Sequence, residues 1–418
     1  MPTLQTDKTP LLYQRFPALK YANFRYFLFG QGISLAGTWM QRAAQQWILY
    51  QMTHSAYIVG LAGVCQFTPM LLTSLFASVF ADRFPKRNFL IVTQSIMMLQ
   101  AIVLFLLIGS GHLQPWHLLL MSSFLGLANA FDMPARQSFF IELVGKESLR
   151  SAIGLNSTIV NIARICGPAL SGLILTTLGA TFCFLINALS FIAVLISLFF
   201  IRSYDVTVRI RDAKQSLIKE VWDGLQYVAS NPPIREAVLS MLIVGLAMNS
   251  DVILPVFAHV VLKQTAMGYG LLLSGMGFGS LLGALLFAGR KSSLLGHHTL
   301  MISGCTLSLF MIFASFQHQF VAALLCLMVI GFFSMIFMAT VNSTIQLNAS
   351  DEYRGRAMGV YALVFTGTTP FGNYITGCIN QQFGSNMGFL FCGASALLLL
   401  MIYKILDHRS VANTLRKV

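Results

Sequence analysis

Residues 180–202 read ATFCFLINALSFIAVLISLFFIR, an apolar run that stays uncharged until Arg202 closes it. An α-helix needs about 20 apolar residues to cross roughly 30 Å of hydrocarbon, so this stretch spans a bilayer by itself. Outward from it in both directions, similar runs recur at approximately 24–51, 56–80, 88–110, 115–139, 151–177, 235–262, 267–289, 297–316, 319–347, 355–380 and 384–406. With 180–202 they predict an all-α membrane protein of twelve transmembrane helices. Composition agrees: the 418 residues are 56% hydrophobic and 10% charged, with a mean hydropathy of +0.72, far above that of a water-soluble domain.

The connections divide the chain. An N-terminal arm, 1–22, carries Lys8, Arg15 and Lys20 and lacks the short apolar core of a secretory signal, so it is expected to remain on the protein. The longest connection, 203–233, holds Arg209, Arg211, Lys214 and Lys219, and within it Leu217, Ile218, Val221, Trp222, Leu225 and Val228 repeat at helical spacing. That pattern predicts an amphipathic linker helix on the inner leaflet. It separates a first six-helix bundle, 23–202, from a second, 234–406, and a tail follows at 407–418. With the N-terminus in the cytoplasm, 23 of the 27 Lys and Arg residues fall in cytoplasmic loops, tails or helix ends; Arg42, Arg136 and Arg164 lie within spans, and Lys263 alone is left outside. The positive-inside rule then expects both termini in the cytoplasm. A net charge of +13 distributed over loops is no nucleic-acid surface, which gathers its basic residues on one soluble face.

The bundles repeat each other at an offset of 205 to 210 residues, as expected of a pseudo-symmetric transporter fold. Phe24-Arg25 corresponds to Ile234-Arg235, and Phe80-Ala81-Asp82-Arg83 to Phe287-Ala288-Gly289-Arg290. Gly154, Gly167 and Gly172 of the fifth span return as Gly359, Gly372 and Gly377 of the eleventh.

Three sets of motifs point to a family. After the second span comes Asp82-Arg83-Phe84-Pro85-Lys86-Arg87, a carboxylate followed by cations, in which Asp82 is placed to accept from the free amides of a neighbouring helix N-terminus. The fifth span carries Gly167-Pro168-Ala169-Leu170-Ser171-Gly172, a bend with close helix approach, and the eleventh has its counterpart Gly367-Thr368-Thr369-Pro370-Phe371-Gly372. Gly37-Thr38-Trp39-Met40-Gln41, Asp132-Met133-Pro134-Ala135-Arg136-Gln137, Leu155-Asn156-Ser157 and Asn161-Ile162-Ala163-Arg164-Ile165-Cys166-Gly167-Pro168 are more specific. Together they resemble the major facilitator superfamily, in particular its bacterial enterobactin-exporter-like and macrolide-efflux-like branch of drug:proton antiporters. The resemblance implies the facilitator fold, proton-driven efflux across a bacterial inner membrane, and a cytoplasmic gate formed by Asp82, Arg83, Lys86 and Arg87. The chain departs from the loop signature at Ser78 and Pro85 and from the fifth-helix motif at Ser171, where glycine is usual, and has Thr38 where some members have an acidic residue.

Ionisable residues at membrane depth are costly and therefore functional candidates: Arg42, Asp132, Arg136, Arg164 and Asp251. Asp132 and Arg136, four apart on one face, make either a structural ion pair or a proton-carrying one. Asp132 leads as the proton-exchanging carboxylate, with Arg136 tuning it; Asp251, near Pro255, serves either helix-end solvation or proton relay. Arg164 lies on a stripe with Ser157, Asn161 and Pro168 and needs an anionic or polar partner, since a guanidinium keeps its proton. Polar stripes run along the first span, Ser34, Thr38, Gln41 and Gln45 with Arg42 beside them, and along the eleventh, Thr366, Thr369, Asn373, Thr376 and Asn380. Any single member serves equally as glue between helices. The facilitator fold sets these two helices against the central cavity, which makes Ser34, Thr38, Gln41, Arg42, Gln45, Asn161, Arg164 and Asn373 the substrate-cavity candidates. Gly275, Gly279 and Gly283 at four-residue spacing predict a close helix crossing in the eighth span.

No phosphate-binding Gly-rich loop with Lys-Ser/Thr is present, so the expectation is secondary transport without ATP, cofactor or metal. The seven cysteines all fall in apolar runs, without metal-ligand spacing. No Ser, His and carboxylate cluster indicates an enzyme, and a receptor would need a soluble output module that the linker is too short to supply. An importer or symporter on the same fold is the rival reading, disfavoured by the antiporter-like Gly-Pro run. The expected partners are a small amphiphilic substrate such as a siderophore or macrolide, protons and the lipid bilayer, with the monomer as transport unit.

Overall fold

The computed structural model describes residues 11–82, 84–201, 217–247, 249–288 and 297–415, and among these no strand occurs. A short α1 (Leu11–Arg15) and a 3-10 turn, Pro17–Lys20, precede α2 (Ala22–Thr53), α3 (Ala56–Asp82), α4 (Lys86–Gly109), the double-length α5 (Pro115–Thr177) and α6 (Ala180–Phe200). The linker contributes α7 (Leu217–Ser230). Then come α8 (Pro232–Ala247), α9 (Ser250–Val256), α10 (Ala266–Ala288), α11 (His297–Ala314), α12 (Phe320–Asn348) and the double-length α13 (Arg354–Leu415). Eight candidate spans are long and apolar enough to cross a membrane by length and composition, one of them α8 joined to α9 and two others folded back on themselves. The polar-striped α2 and the shorter α11 complete the twelve crossings of the facilitator fold.

The reversals inside the double helices are glycines with left-handed backbone. Gly145 (φ 67°) turns α5 between the fourth and fifth crossings, and Gly384 (φ 83°) turns α13 between the eleventh and twelfth. A side chain at either would be strained. Helix therefore fills 140–150, a stretch the apolar runs leave as a loop. Gly179 (φ 92°), between α5 and α6, is the 205-residue mate of Gly384, so the internal repeat includes its turns.

The seventh crossing departs from the continuous span the sequence predicts. α8 ends at Ala247, Asn249 takes non-helical angles (φ −113°, ψ 45°), and α9 resumes at Ser250. Pro255 lies inside α9, and a π-helical turn, Phe257–Val261, follows. Proline withdraws one donor from the helical ladder, and the wider turn re-registers it. The break leaves Asp251 in the first turn of α9, where its charge suits the helix dipole.

Large apolar side chains such as Phe29, Leu72, Phe199, Phe200 and Val321 are more than 60% exposed, the surface a lipid-solvated bundle presents. Lipid supplies no hydrophobic drive between helices, so the helices meet where side chains are missing. A Cβ on Gly279 would lie 1.9 Å from Met328 O of α12 and one on Gly283 2.5 Å from Phe332 O, which realises the expected crossing of the eighth span inside the second bundle. Gly126 approaches Gln66 of α3 in the same way inside the first.

Between the halves, two crossings mirror each other. α5 meets α10 where a Cβ on Gly270 would fall 2.3 Å from Pro168 O and one on Gly172 2.7 Å from Ala266 O. α3 meets α13 where a Cβ on Gly60 would fall 2.6 Å from Asn373 O and one on Gly377 3.2 Å from the Gly60 Cα. Gly167 and Gly372 are likewise equivalent, the first against Trp39 of α2 and the second against Asn249 beside α8. Beside these crossings Tyr50, Ala56 and Val59 of the first half bury against Val252 and Val256 of the second as an apolar plug. All of these contacts lie toward one end of the molecule, here the far end. Toward the opposite, basic end Gly154 and Gly359 face open space.

Helix α7, in the linker, docks on the second half. Its Tyr227 ring stacks on Tyr353 at 4.6 Å, its hydroxyl accepts from Ser350 N at 3.0 Å, and Asp223 lies 3.7 Å from Arg356. With the Ser350 Oγ contact at 3.4 Å, first in effect, and then this backbone bond, Ser350 lowers the pKa of the Tyr227 phenol. Trp222 and Leu225 stay exposed, as an amphipathic helix at a lipid surface requires. Residues 1–10, 203–216 and 416–418 of the expected arm, linker and tail lie outside the described residues.

Gly279→Ala is expected to lower the thermal unfolding midpoint of the purified protein, an overpacking cost of about 1–3 kcal/mol. Gly270→Ala acts instead on the seam and should raise maleimide labelling of a cysteine placed at the buried Val59. In Gly154→Ala a methyl meets nothing within 4 Å, and both readouts should stay at wild-type values.

Candidate functional site

The α2 stripe divides over two sides of the helix. Gln41 donates to Gln100 Oε1 at 3.0 Å and accepts from Asn187 Nδ2 at 2.7 Å, tying α2 to α4 and α6. Gln45 donates to Ser122 Oγ at 2.7 Å and to Leu118 O at 3.1 Å on α5. Ser34 is buried, and its carbonyl accepts from Thr38 Oγ1 at 2.9 Å. Gln41, expected in the substrate cavity, is therefore glue within the first bundle, and Ser34, also expected there, is buried. Gln45 touches the cavity as well as its bundle. Asn161 donates to Ser157 O at 2.8 Å, along its own helix.

Asp132 is 1% exposed and saturated. One carboxylate oxygen accepts from Thr93 Oγ1 at 2.8 Å and Gln94 Nε2 at 2.7 Å, and the other pairs with Arg136. All four side chains stand on α4 and α5, inside one bundle. Movement of one half against the other leaves this cluster intact.

Asp251 stands at the seam. Its Oδ2 accepts from Arg42 of α2 at 2.7 Å, an ion pair between residues 209 apart that joins the two halves. Each side chain keeps about a third of its surface exposed, 28% for Arg42 and 32% for Asp251, so the pair lines a cavity as well as a contact. That cavity is also bounded by Gln66, Phe67, Asn249, Thr369 and Asn373. The Arg42 guanidinium lies 5.4 Å from the Trp39 ring centre and 5.9 Å from that of Phe67. Arg164 approaches the same Trp39 ring, at 5.1 Å. Among the described residues Arg164 forms no ion pair, and its Nε is buried without a hydrogen-bond partner. The predicted residues that the structure brings together are thus Arg42, Arg164, Asp251 and Asn373.

Around the pair lie residues the sequence reading missed. Tyr269 of α10 stacks on Trp47 at 5.4 Å and donates to Gln46 Oε1 at 2.9 Å; His259 sits edge-on to Trp47 and Tyr50 and hydrogen-bonds Gln51 at 3.4 Å. They carry no charge pattern or motif, and their aromatic character is lost among 34 phenylalanines. The expected gate fares differently. Arg83 and the Asp82 side chain lie outside the described residues. Lys86 opens α4 and is buried. Arg87 donates from Nε to Leu198 O at 2.7 Å and from Nη2 to Phe199 O at 3.2 Å, so it caps the C-terminus of α6 within the first half instead of reaching across.

Two mirrored six-helix bundles, with a charged seam at membrane depth, make this a transporter of the major facilitator type. The family model described as a transmembrane secretion effector matches residues 14–414, and the chain belongs to that branch of the superfamily. It is 26% identical to the staphyloferrin A transporter of Staphylococcus aureus over 92% of this chain and 96% of that one. To the multidrug efflux pump Tap of Mycolicibacterium fortuitum it is 24% identical over 94% and 95%. A crystal structure of the nucleoside transporter NupG superposes with a TM-score of 0.73 at 13% identity, covering 92% of this chain and 98% of that chain, a likeness of fold.

Asp132→Ala should strongly destabilise the purified protein, by about 3–5 kcal/mol, because it strands the Arg136 charge and two polar donors in the bundle. A thermal-shift midpoint within 2 °C of wild type, roughly the shift of 1 kcal/mol in a chain of this size or larger, would remove Asp132 from the structural core.

Proposed function

We propose that the protein exports a small amphiphilic molecule by proton antiport with alternating access, in the bacterial inner membrane, with both termini and the basic end in the cytoplasm. The Lys and Arg distribution supports the orientation. On that reading the far end faces outside and is shut, and the cleft is open to the cytoplasm. Efflux pumps and a siderophore transporter among the relatives support a small cargo and outward direction.

The observation that carries the reading is the Arg42–Asp251 pair across the halves. A carboxylate beside a guanidinium stays anionic; parted from it in a poorly solvated site, it takes a proton. Opening the far end parts this pair and offers Asp251 to the outside, where protons are abundant. Closing restores Arg42 and expels the proton into the cytoplasmic cleft. Asp251 therefore takes the coupling role, and Asp132, locked within one bundle, the structural one. One charge moving through 100 mV provides roughly 2.3 kcal/mol, about a fiftyfold concentration ratio per proton.

Inverted membrane vesicles given a panel of siderophores and amphiphilic drugs are expected to accumulate at least one of them, and an uncoupler should abolish the accumulation. Asp251→Asn should lose uphill accumulation while keeping downhill exchange. Uphill accumulation by Asp251→Asn vesicles at the wild-type level would defeat the coupling assignment. An impermeant maleimide added outside intact cells should leave a cysteine at Lys219 unlabelled.

A further inference from the structure

The seam holds two guanidiniums and one carboxylate. Arg42 and Asp251 neutralise each other at 2.7 Å. Arg164 is left over: the charges acting on it are the like charge of Arg42 and the opposite charge of Asp251, and the latter is already engaged. Its guanidinium lies over the Trp39 ring, which it shares with Arg42. A guanidinium at membrane depth keeps its charge, and an indole face offsets only part of the lost hydration. The buried Nε remains without an acceptor. The residues lining the adjoining cavity, Gln45, Gln46, Gln66, Asn249, Thr369 and Asn373 among them, bring no second carboxylate. The site thus lacks one negative charge, and a bound molecule is what can supply it.

We propose that the cargo is an organic anion whose carboxylate, or an equivalent anionic oxygen group, docks on Arg164, with an apolar body lying along Trp39 and Phe67. A planar guanidinium whose Nε lacks an acceptor favours a two-oxygen acceptor over a single polar atom. Trp39 lies three residues before Arg42 on α2, and Gly167 holds α5 against it: a Cβ there would fall 2.6 Å from the Trp39 Cβ. The glycine of the Gly-Pro run therefore sets the distance between the indole and Arg164, which lies three residues before it on α5. The assignment rests on the export reading for its biological sense, but binding to Arg164 requires neither a gradient nor transport.

The full-length protein in lipid nanodiscs is titrated with a fluorescent pair, dansylamino-undecanoate and its neutral methyl ester. Wild type should bind the carboxylate at least roughly tenfold more tightly than the ester, the size of one charge-assisted hydrogen bond. Arg164→Gln should erase that preference and leave ester affinity within twofold; Arg164→Lys, which keeps the charge, should retain part of it. Equal binding of carboxylate and ester by wild type, no carboxylate binding at all, or a preference that survives in Arg164→Gln would overturn the proposal. Should Arg164→Gln fail to fold, equal affinity of Arg164→Lys and wild type for the carboxylate and the ester decides against it. Uncoupler-resistant accumulation in vesicles would sink proton antiport and leave these affinities untouched, so the two readings fail separately.

Discussion

Lipid gives no help in bringing helices together, and every other feature of this molecule answers to that constraint. Backbone polar groups must be satisfied within each crossing, so the described crossings are helical, with the seventh interrupted at Asn249. Contact between crossings then depends on how closely backbones approach. Gly126, Gly279 and Gly283 bring helices together inside a bundle, whereas Gly60 with Gly377, and Gly172 with Gly270, do so between bundles. The latter pairs are related by the internal repeat, so each half offers the other the same two smooth surfaces. A glycine crossing has no side-chain interlock to break, which suits a joint that pivots.

Charge is distributed around that joint by its consequences. Asp132 and Arg136 are costly at membrane depth, and Thr93 and Gln94 add their donors to the Asp132 carboxylate inside one rigid unit. Arg42 and Asp251 are equally costly but divided between units. The same chemistry yields a structural element in the first place and a switchable one in the second. The difference is whether the partners travel together.

Much of this was legible in the sequence and some was not, for physical reasons. A span declares itself by length and hydropathy, and close approach leaves glycines at a constant shift, so both the twelve crossings and the mirrored joints could be read. Gln41 and Arg42 show the limit. They are neighbours, roughly 100° apart around one helix, and periodicity reports that the face has partners without saying in which bundle. Gln41 finds Asn187 and Gln100 in its own, and Arg42 finds Asp251 in the other. Arg87 likewise looked like a gate residue until its acceptors on α6 were placed. The break at Asn249 carries no glycine or proline of its own; Pro255 is the nearest sequence trace, and its effect emerges as the π-helical turn beyond it.

On the proposed antiport reading, that break is what lets Asp251 act. In an unbroken helix a carboxylate at this depth would compete with nothing and face whatever its register dictated. Here α9 restarts just before it, the dipole of the new helix steadies its charge, and the plug of Tyr50, Ala56, Val59, Val252 and Val256 shields the far side. On that reading, opening the far end separates the plug, parts Arg42 from Asp251 and unstacks Trp47 from Tyr269 together, since all three bridge the same two bundles. Packed contacts of this kind are bistable and do not yield by degrees. A proton on Asp251 removes the attraction but not the packing, and an anion at Arg164 would compete for Arg42 without touching the plug. On the proposed reading each ligand lowers one part of a shared barrier, and such sharing lets a carrier tie the passage of one to the passage of the other.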